Sequence, residues 1–207
     1  MPAPDLTELL DPSHTALVTQ ECQNSVLGER TVFPELAEAA GPEMIPNAAR
    51  LAKAARAAGV PVVHCLAWRR GDGLGSNDNA KLFAVAARSG VSLEPGSEDA
   101  NVIPEIGVED TDVVLGRYHG IGPMSGTGLD QVLRKLGVST IVGVGVSVNV
   151  AMTNFVMDSV NLGYRFVLPR DAVAGVPQDY ADSVIDNTLS LLATVTTTDD
   201  VRAVWER

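Results

Sequence analysis

Apolar and polar positions follow two different spacings along this sequence, and the change from one to the other is sharpest at residues 140–163. Residues 141–146 form an apolar, mostly β-branched run interrupted only by glycine, and a small turn follows at 147–149. A strand of this kind has both faces covered, as in the centre of a parallel sheet. From 150 to 162 apolar side chains recur at helical spacing, which predicts a helix that ends at Gly163. The segment therefore predicts a central strand that breaks abruptly into a helix.

The same alternation of strand and helix spacing continues along the rest of the chain. Further strands are predicted at 15–19, 60–66, 112–115, 165–168 and 194–198. Further helices are predicted at 45–58, 80–89, 128–136 and 178–193, and a last helix is predicted with Asp199 or Asp200 as its cap. This alternation indicates an α/β protein, a three-layer α/β/α sandwich with a mainly parallel sheet. No internal repeat or linker divides the sequence, so residues 1–207 are interpreted as one domain with a core at about 15–198.

One long segment, residues 68–106, interrupts the alternation, and a shorter loop is predicted at 169–175. The long segment begins with a stretch rich in Gly, Asn and Asp, includes the helix predicted at 80–89, and ends in a polar, irregular stretch. Long excursions of this kind are commonly functional. We therefore expect residues 68–106 to act as a lid over a site or as a contact between subunits.

The composition is that of a globular protein and excludes several classes of partner. Hydrophobic residues make up 45% of the 207 residues and charged residues 20%, and the net charge is −11 at pH 7. Because phosphate groups are bound by clustered Lys and Arg, this charge argues against nucleic acid or an anionic membrane as a partner. No apolar run reaches the roughly 18 residues of a membrane span, and residues 1–10 lack the basic and apolar regions of a leader, so we expect a cytoplasmic protein.

The cysteines and histidines do not have the spacing of a disulfide framework or a metal site. Cys22 and Cys65 lie in apolar surroundings outside any CxxC pair and are interpreted as reduced core thiols. No pair among His14, His64, His119, the cysteines and the carboxylates has the tight spacing of a zinc site. We therefore expect no metal ion and no cofactor, and a small molecule as the ligand.

Polar residues follow three of the predicted strands and are candidates for a reaction site. Glu21 comes just after the strand at 15–19, Arg117 and His119 follow the strand at 112–115, and a turn at 147–151 follows the central strand. The carboxyl ends of parallel strands meet at one edge of a sheet, where the binding sites of α/β proteins lie. A helix that begins there also offers N–H groups and the positive end of its dipole to an anion. A carboxylate and a cation brought to this edge indicate catalysis, although either residue alone commonly serves as a cap or in an ion pair.

The order of these motifs resembles the isochorismatase-like cysteine hydrolase superfamily over residues 15–198. Residues 15–24, TALVTQECQN, look like the family's opening strand, which ends in aspartate followed by x-Gln-Asn. Residues 103–117 look like the segment that leads to its catalytic lysine, and GTGL at 126–129 matches its Gly-Thr-x-Leu. GVSVNVA at 145–151 looks like its nucleophile turn, Gly-Val-x-x-Asn-x-Cys. The family includes nicotinamidases, carbamoylsarcosine-type amidohydrolases and isochorismatases, so the resemblance implies its fold and a hydrolase.

The resemblance also implies that every member of the family's catalytic triad is altered. By position, Glu21 stands where the family has aspartate, Arg117 where it has lysine, and Ala151 where it has the nucleophilic cysteine. Glutamate keeps the carboxylate, and arginine keeps the charge but not the readiness of lysine to release a proton. Alanine removes the thiol, so the family's covalent acyl-enzyme cannot form. Cys22 is expected to point away from the side of the chain that Glu21 occupies, and it does not replace the missing nucleophile.

The first functional hypothesis is a hydrolase that needs no nucleophilic cysteine and acts on a small, carboxylate-bearing molecule. As in isochorismatase-type relatives, Glu21 would protonate an enol-ether carbon and then assist water, while Arg117 would anchor the substrate carboxylate. An arginine beside Glu21 opposes a protonated carboxyl group, which counts against this order of steps. The resemblance implies a strained cis peptide between residues 146 and 147, and N–H groups at 150 and 151 that orient the substrate. The substrate-binding candidates are Gln23, Trp68, Tyr118, His119, Val146, Ser147 and Val150.

Two alternatives remain open. The protein could be a catalytically silent relative that binds a small ligand or serves as an assembly subunit, with Glu21 and Arg117 as a structural ion pair. It could also be an amide (C–N) hydrolase whose nucleophile has been replaced by Ala151, although an engineered replacement would leave Glu21 and Arg117 unexplained. An enclosed cavity that Glu21 faces would favour an enzyme, and an ion pair closed on itself would favour the silent relative. In each case the resemblance implies a homo-oligomer, a dimer or larger.

Overall fold

A parallel β-sheet forms the centre of the computed structural model, which describes residues 5–207. Its strands are β1 (Thr15–Gln20), β2 (Val62–Ala67), β3 (Val113–Arg117), β4 (Thr140–Val146), β5 (Arg165–Pro169), β6 (Val173–Ala174) and β7 (Thr194–Thr196). They lie in the order β3-β2-β1-β4-β5-β7, the short β6 pairs with β4, and all of these pairings are parallel. Residues 1–4 lie outside the described residues, so the structure does not bear on their predicted place in the domain or on the predicted lack of a leader there.

Helices cover both faces of the sheet. They are α1 (Leu6–Leu9), α2 (Asn24–Leu27), α3 (Pro34–Ala40), α4 (Met44–Ala57), α5 (Lys81–Arg88), α6 (Leu129–Lys135), α7 (Thr153–Asn161), α8 (Gln178–Asn187) and α9 (Thr198–Trp205). Buried side chains of α3, α4 and α9 belong to the core on one face, and those of α6, α7 and α8 belong to the core on the other. The predicted α/β/α sandwich with a mainly parallel sheet is therefore confirmed. Within residues 5–207, no helix has both the length and the apolar composition needed to cross a membrane.

The central strands are buried on both faces, as their unbroken apolar sequences predict. Every residue of β1 and β4 is buried. Successive side chains of β1 alternate between the two cores, with Leu17 in the core that includes α4 and Val18 in the core that includes α7. Gly145 in β4 has a φ of 118°, and a Cβ at this position would lie 2.2 Å from the carbonyl oxygen of Gln20. Glycine therefore allows β4 to approach the end of β1, where Glu21 follows.

A polar network is buried at the amino-terminal end of β3. Arg56 of α4 forms a bidentate ion pair with Asp112, in which Nη2 lies 2.6 Å from Oδ2 and Nε lies 3.2 Å from Oδ1. Oδ2 of Asp112 also accepts a hydrogen bond from the Glu109 N–H at 2.8 Å and lies 3.2 Å from Nε2 of His64. Nδ1 of His64 is 2.9 Å from Oγ1 of Thr19. Because a carboxylate only accepts hydrogen bonds, this arrangement requires the proton on Nε2, and Nδ1 accepts from the Thr19 hydroxyl.

The charges in this network are set by burial and by the hydrogen bonds. Burial lowers the pKa of His64, and the hydrogen bond to Asp112 opposes this only in part. Burial acts to raise the pKa of Asp112, but hydrogen bonds from Arg56, the Glu109 N–H and His64 outweigh it and lower the pKa overall. The network at neutral pH therefore consists of the Arg56–Asp112 ion pair and a neutral histidine, and Nη1 of Arg56 also lies 3.4 Å from Oε1 of the more exposed Glu109.

The structure corrects several predicted element boundaries in the second half of the chain. The helix predicted at 150–162 begins as a π-helix, Val148–Met152, before α7, so the predicted turn at 147–149 is largely helical. The helix predicted at 178–193 ends at Asn187, because asparagine and threonine at 187 and 188 have low helix propensity, and a 3₁₀ turn follows. The loop predicted at 169–175 contains β6. Helices α1, α2 and α3 had no predicted counterpart, and α1 and α2, with four residues each, are too short to show helical periodicity.

The predicted caps of the last helix are also wrong. Thr197 is the cap of α9, and its Oγ1 accepts a hydrogen bond from the Asp200 N–H at 3.2 Å. The Asp200 carboxylate in turn accepts from the Thr197 N–H at 3.2 Å. This reciprocal capping box satisfies two backbone N–H groups, which a cap at Asp199 or Asp200 would not do.

Candidate active site

The carboxyl ends of β1–β4 border a cavity of about 420 Å³. The structure brings most of the predicted site residues to this cavity, and those that line it are Glu21, Trp68, Arg117, Tyr118, His119, Ser147, Val150 and Ala151. They come from separate strand ends and from the start of the excursion at 68–106. The convergence expected from parallel topology therefore occurs.

Glu21 and Arg117 form an ion pair at the edge of the cavity. Glu21 follows β1 with a φ of 54°, a left-handed conformation that is rare outside glycine, and its N–H donates to the Cys65 carbonyl at 2.9 Å. Arg117 is the last residue of β3, and its Nη2 contacts Oε1 of Glu21. The carboxylate side chain is 17% exposed and the arginine side chain 5%. The pair is thus both closed on itself and in contact with the cavity.

Two of the three nitrogen atoms of the Arg117 guanidinium contact protein groups. Its Nε donates to the Gly120 carbonyl at 3.2 Å, and Nη2 is taken by Glu21. Nη1 is buried and has no hydrogen-bond partner among the described residues. The Gly120 loop is itself held by Asn77, whose Oδ1 accepts from the Gly120 N–H at 2.7 Å. The Arg117 guanidinium is therefore oriented mainly toward the Glu21 carboxylate.

Ala151 presents a methyl group where the sequence motif resembles a nucleophile turn. Ala151 is buried and lies in the π-helix that follows β4, and the peptide bond between Val146 and Ser147 is cis. The Val150 N–H donates to the Ser147 carbonyl at 3.2 Å, so it is not free to orient a substrate. Val146 is fully buried in β4 and does not line the cavity, and its role in substrate binding stays a prediction.

Neither cysteine is suited to act as a nucleophile. Cys22 and Cys65 are buried, and burial raises the pKa of each thiol to about 12. A thiol with such a pKa is protonated at neutral pH, and the protonated form is a poor nucleophile. Both cysteines are core residues, as the sequence predicts.

Gln23 lies beneath the site and is bound by protein groups. It is fully buried and does not line the cavity, and its role in substrate binding stays a prediction. Its Oε1 accepts from the Ala67 N–H at 2.7 Å, and its Nε2 donates to the Ala67 carbonyl at 3.1 Å and to Oγ of Ser25 at 2.8 Å. The Gln23 backbone pairs with Val102 in an isolated antiparallel bridge. All of its amide groups are therefore used by the protein.

Aromatic side chains form one wall of the cavity. The rings of Trp68 and Tyr118 meet edge to face with centroids 5.9 Å apart. A Cβ at Gly116 would lie 1.9 Å from Cδ2 of Trp68, so the indole ring can cover β3 only because residue 116 is glycine. The backbone N–H of Trp68 donates to the Arg117 carbonyl at 2.8 Å. These contacts attach the start of the excursion directly beside the ion pair.

Several cavity residues could not be found by sequence reasoning. They are dispersed in loops and short helices and include Phe33, Arg69, Asn77, Phe83, Leu93 and Asn149. The loops that carry them have no periodicity from which their direction could be predicted. The only sequence feature that pointed to such residues was the length and polarity of the segment at 68–106. Several residues of this segment line the cavity. Within residues 5–207, no cluster of His, Cys, Asp and Glu side chains has the size of a metal site.

Comparison with known proteins places this geometry in one family. The family model of the Isochorismatase domain matches residues 15–200. The chain is 29% identical over 188 residues to the ureidoacrylate amidohydrolase RutB of Rhizobium rhizogenes, which covers 83% of this chain and 74% of that protein. It is 29% identical over 141 residues to the N-carbamoylsarcosine amidase of an Arthrobacter species, covering 65% of this chain and 52% of that protein.

The fold comparison agrees with the sequence comparison. A cysteine hydrolase from Pseudomonas syringae pv. phaseolicola 1448A superposes with a TM-score of 0.82 over 100% of this chain and 99% of that chain, at 24% identity. The match of the family model over most of the chain, together with this fold, shows that the protein belongs to the isochorismatase family of hydrolases.

Proposed function

We propose that the protein hydrolyses an amide-type bond in a small, carboxylate-bearing molecule without using a nucleophilic cysteine. Glu21 acts as the acid and base, Arg117 is its charge partner, and Ala151 marks the position of the family's thiol. The observation that carries this proposal is the Glu21–Arg117 ion pair at the edge of a cavity that Ala151 also lines. Such a site can activate water but cannot form a thioester.

The ion pair determines the order of proton transfers. A carboxylate in contact with a guanidinium is ionised, so Glu21 begins the reaction as a base. It accepts a proton from water while the water oxygen forms a bond to the carbonyl carbon of the substrate. When the tetrahedral intermediate collapses, the C–N bond breaks and the protonated Glu21 returns its proton to the leaving nitrogen. This order suits an amide or ureido carbonyl, whereas protonation of an enol ether would require Glu21 to start as an acid.

The named relatives support the same class of bond, since one is an amidohydrolase and another an amidase. A second candidate is a site that lost its amide chemistry when its nucleophile was replaced by Ala151. The observation that favours it is the position of Ala151, which lines the cavity together with Glu21 and Arg117. A sulfur atom at this residue would extend one bond beyond the methyl carbon.

A hydrolysis screen of the unmodified protein and of Ala151→Cys separates these functions. The panel holds ureido and carbamoyl acids, nicotinamide-type amides and isochorismate-like enol ethers, with products followed by mass spectrometry. Ala151→Ser serves as the matched control, because it adds a group of similar size without a thiol. Turnover of a ureido or amide substrate by the unmodified protein is the expected result.

The other outcomes contradict the proposal in different ways. Amide turnover that appears only in Ala151→Cys would mean that the site has lost its nucleophile and that Glu21 does not activate water sufficiently. Turnover of enol ethers alone would assign Glu21 the role of a general acid. Inactivity of all three proteins toward the whole panel would favour a silent family member that binds a ligand.

A further inference from the structure

A second arginine, Arg69, lines the same cavity and is not neutralised by protein groups. It follows Trp68 at the start of the excursion and is half-buried. Among the described residues its side chain makes no hydrogen bond and has no carboxylate within ion-pair distance. The adjacent Arg70 differs, because it is exposed and pairs with Asp72 at 2.7 Å.

Arg69 is held at the cavity by its backbone and by the shape of the loop. Its backbone N–H donates to the carbonyl of Leu93 at 2.9 Å, which joins the start of the segment at 68–106 to its later part. A Cβ at Gly73 would lie 2.8 Å from Nη2 of Arg69, so the guanidinium lies against a backbone position that has no side chain. A guanidinium held in this way loses less entropy when it binds a ligand than one on an open surface.

The charges around the cavity leave Arg69 as its available cation. The charged residues that line the cavity are Glu21, Glu35, Arg69 and Arg117. Glu21 and Arg117 neutralise each other, and Glu35 is exposed and not paired with any cation of the described chain. A substrate carboxylate placed on Arg117 would also lie next to the negative charge of Glu21, which is unfavourable. No carboxylate of the described residues lies within ion-pair distance of Arg69.

The remainder of the wall is apolar. Phe33, Trp68, Leu82, Phe83, Leu93 and Tyr118 line it. Binding pockets with many apolar side chains and few polar ones are suited to ligands with an apolar body and a polar group that sets their orientation.

We propose that Arg69, and not Arg117, binds the carboxylate of the substrate, and that the substrate has an apolar body of aromatic size. This inference rests on the proposed function and gives its substrate class. The guanidinium of Arg69 pairs with the carboxylate, the body lies against the aromatic wall, and the scissile carbonyl faces Glu21. Arg117 remains a positioning residue for Glu21.

Calorimetric binding tests this proposal without requiring turnover. The probes are phenylacetate, acetate and the neutral phenylacetamide, each titrated into the full chain and into Arg69→Gln, with Arg70→Gln as the matched control. We expect phenylacetate to bind at least tenfold more tightly than either other probe. We expect Arg69→Gln to weaken phenylacetate by about tenfold to a hundredfold, as for a charge-assisted hydrogen-bonded pair, without changing phenylacetamide. Arg70→Gln should leave all three unchanged.

Three results would overturn the inference. Unchanged phenylacetate binding in Arg69→Gln, with loss of binding in Arg117→Gln, would return the anchoring role to Arg117. Equal binding of acetate and phenylacetate would exclude the aromatic body, and absence of phenylacetate binding would exclude the ligand class. Arg69-dependent binding combined with an inactive hydrolysis screen would contradict only the proposed function, so the two failures are distinguishable.

Discussion

The two ends of β3 carry two carboxylate–arginine pairs that have the same chemistry and different surroundings. At the amino-terminal end, Asp112 pairs with Arg56 and its side chain is 1% exposed. Its remaining hydrogen-bonding capacity is taken by the Glu109 N–H and His64. At the carboxyl end, Arg117 pairs with Glu21, whose side chain is 17% exposed and borders the cavity.

Under the proposed function, the same kind of pair serves stability at one end of β3 and reactivity at the other. Every hydrogen-bond partner of Asp112 is a protein group, so the Asp112–Arg56 pair contributes to the stability of the folded state. No ligand can reach the Asp112 carboxylate. Glu21 has one protein partner for its side chain and faces the cavity, so its other oxygen can accept a proton from water. Removing one member of a buried, fully hydrogen-bonded ion pair strongly destabilises the folded protein.

The largest effect is expected for Glu21→Gln. The amide cannot accept a proton, so kcat for a substrate identified in the hydrolysis screen should fall by about 10²- to 10⁴-fold, the contribution typical of general acid–base catalysis. The amide can still hydrogen-bond to Arg117, so the fold should persist. Steady-state kinetics and circular dichroism on the same preparation measure the two properties. Unchanged turnover in this variant would exclude the mechanism assigned to Glu21.

The buried pair should respond to the equivalent change with a loss of stability. Asp112→Asn removes the buried carboxylate beside Arg56 and leaves only Glu109, whose side chain is 61% exposed, as its ion-pair partner. The free energy of unfolding should decrease by about 3 kcal/mol, as for a broken buried ion pair. Urea denaturation measures this change. Asp72→Asn is the control, because the Arg70–Asp72 pair is exposed on both sides and its loss should not be measurable. Equal effects of the two substitutions would mean that burial does not distinguish these pairs.

A smaller effect is expected from Gly116→Ala, between the two pairs on β3. The added Cβ would overlap the indole ring of Trp68, which must move, and overpacking of this kind costs about 1–3 kcal/mol. Gly128→Ala is the matched control, since nothing lies within 4 Å of a Cβ at that position. Urea denaturation compares the two variants. Because Trp68 also forms the cavity wall, a crystal structure or tryptophan fluorescence should show a displaced indole only in Gly116→Ala.

The smallest predicted effect is a pH dependence contributed by His64. Burial lowers the pKa of this residue in the folded protein below its ordinary value of 6.5. The unfolded chain therefore binds a proton that the folded protein does not as the pH falls through about 6.5. The stabilisation is complete above this pH and is lost progressively below it.

The variant His64→Gln isolates this contribution, because glutamine can hydrogen-bond but does not titrate. Urea denaturation between pH 5 and pH 8 should give a flatter profile for the variant than for the unmodified protein. Parallel profiles would show that His64 has the same pKa in the folded and unfolded states. His14 and His119 are present in both proteins, so their contributions cancel when one stability profile is subtracted from the other.

The fold and the centre of the site were predictable because they depend on local patterns. The apolar run of β4 and the change to helical spacing after it place Ala151 at a strand end, and the topology of a parallel sheet then brings Glu21 and Arg117 beside it. Arg69 and Phe33 were not predictable, because their positions depend on loop contacts such as the one between Arg69 and Leu93. Gln23 was predicted to bind substrate, but a side chain beside a strand end can equally form hydrogen bonds to backbone groups of the protein. Sequence spacing does not distinguish the two.

The hydrogen bonds of Gln23 also have a consequence for exchange of the excursion between relatives. The Gln23 side chain binds Ala67, and its two neighbours bind the far end of the segment, since the Asn24 N–H donates to the Asn101 carbonyl and the Ile103 N–H donates to the Cys22 carbonyl. Residues 22–24 therefore fasten both feet of the segment over the cavity. The distance between those feet does not depend on the residues between them. A graft of a different segment between positions 68 and 101 that retains Asn77, which holds the Gly120 loop beside Arg117, would thus keep the strands and the ion pair in place while replacing much of the cavity wall. We expect such a graft to change which ligand fits the cavity without moving Glu21 or Arg117.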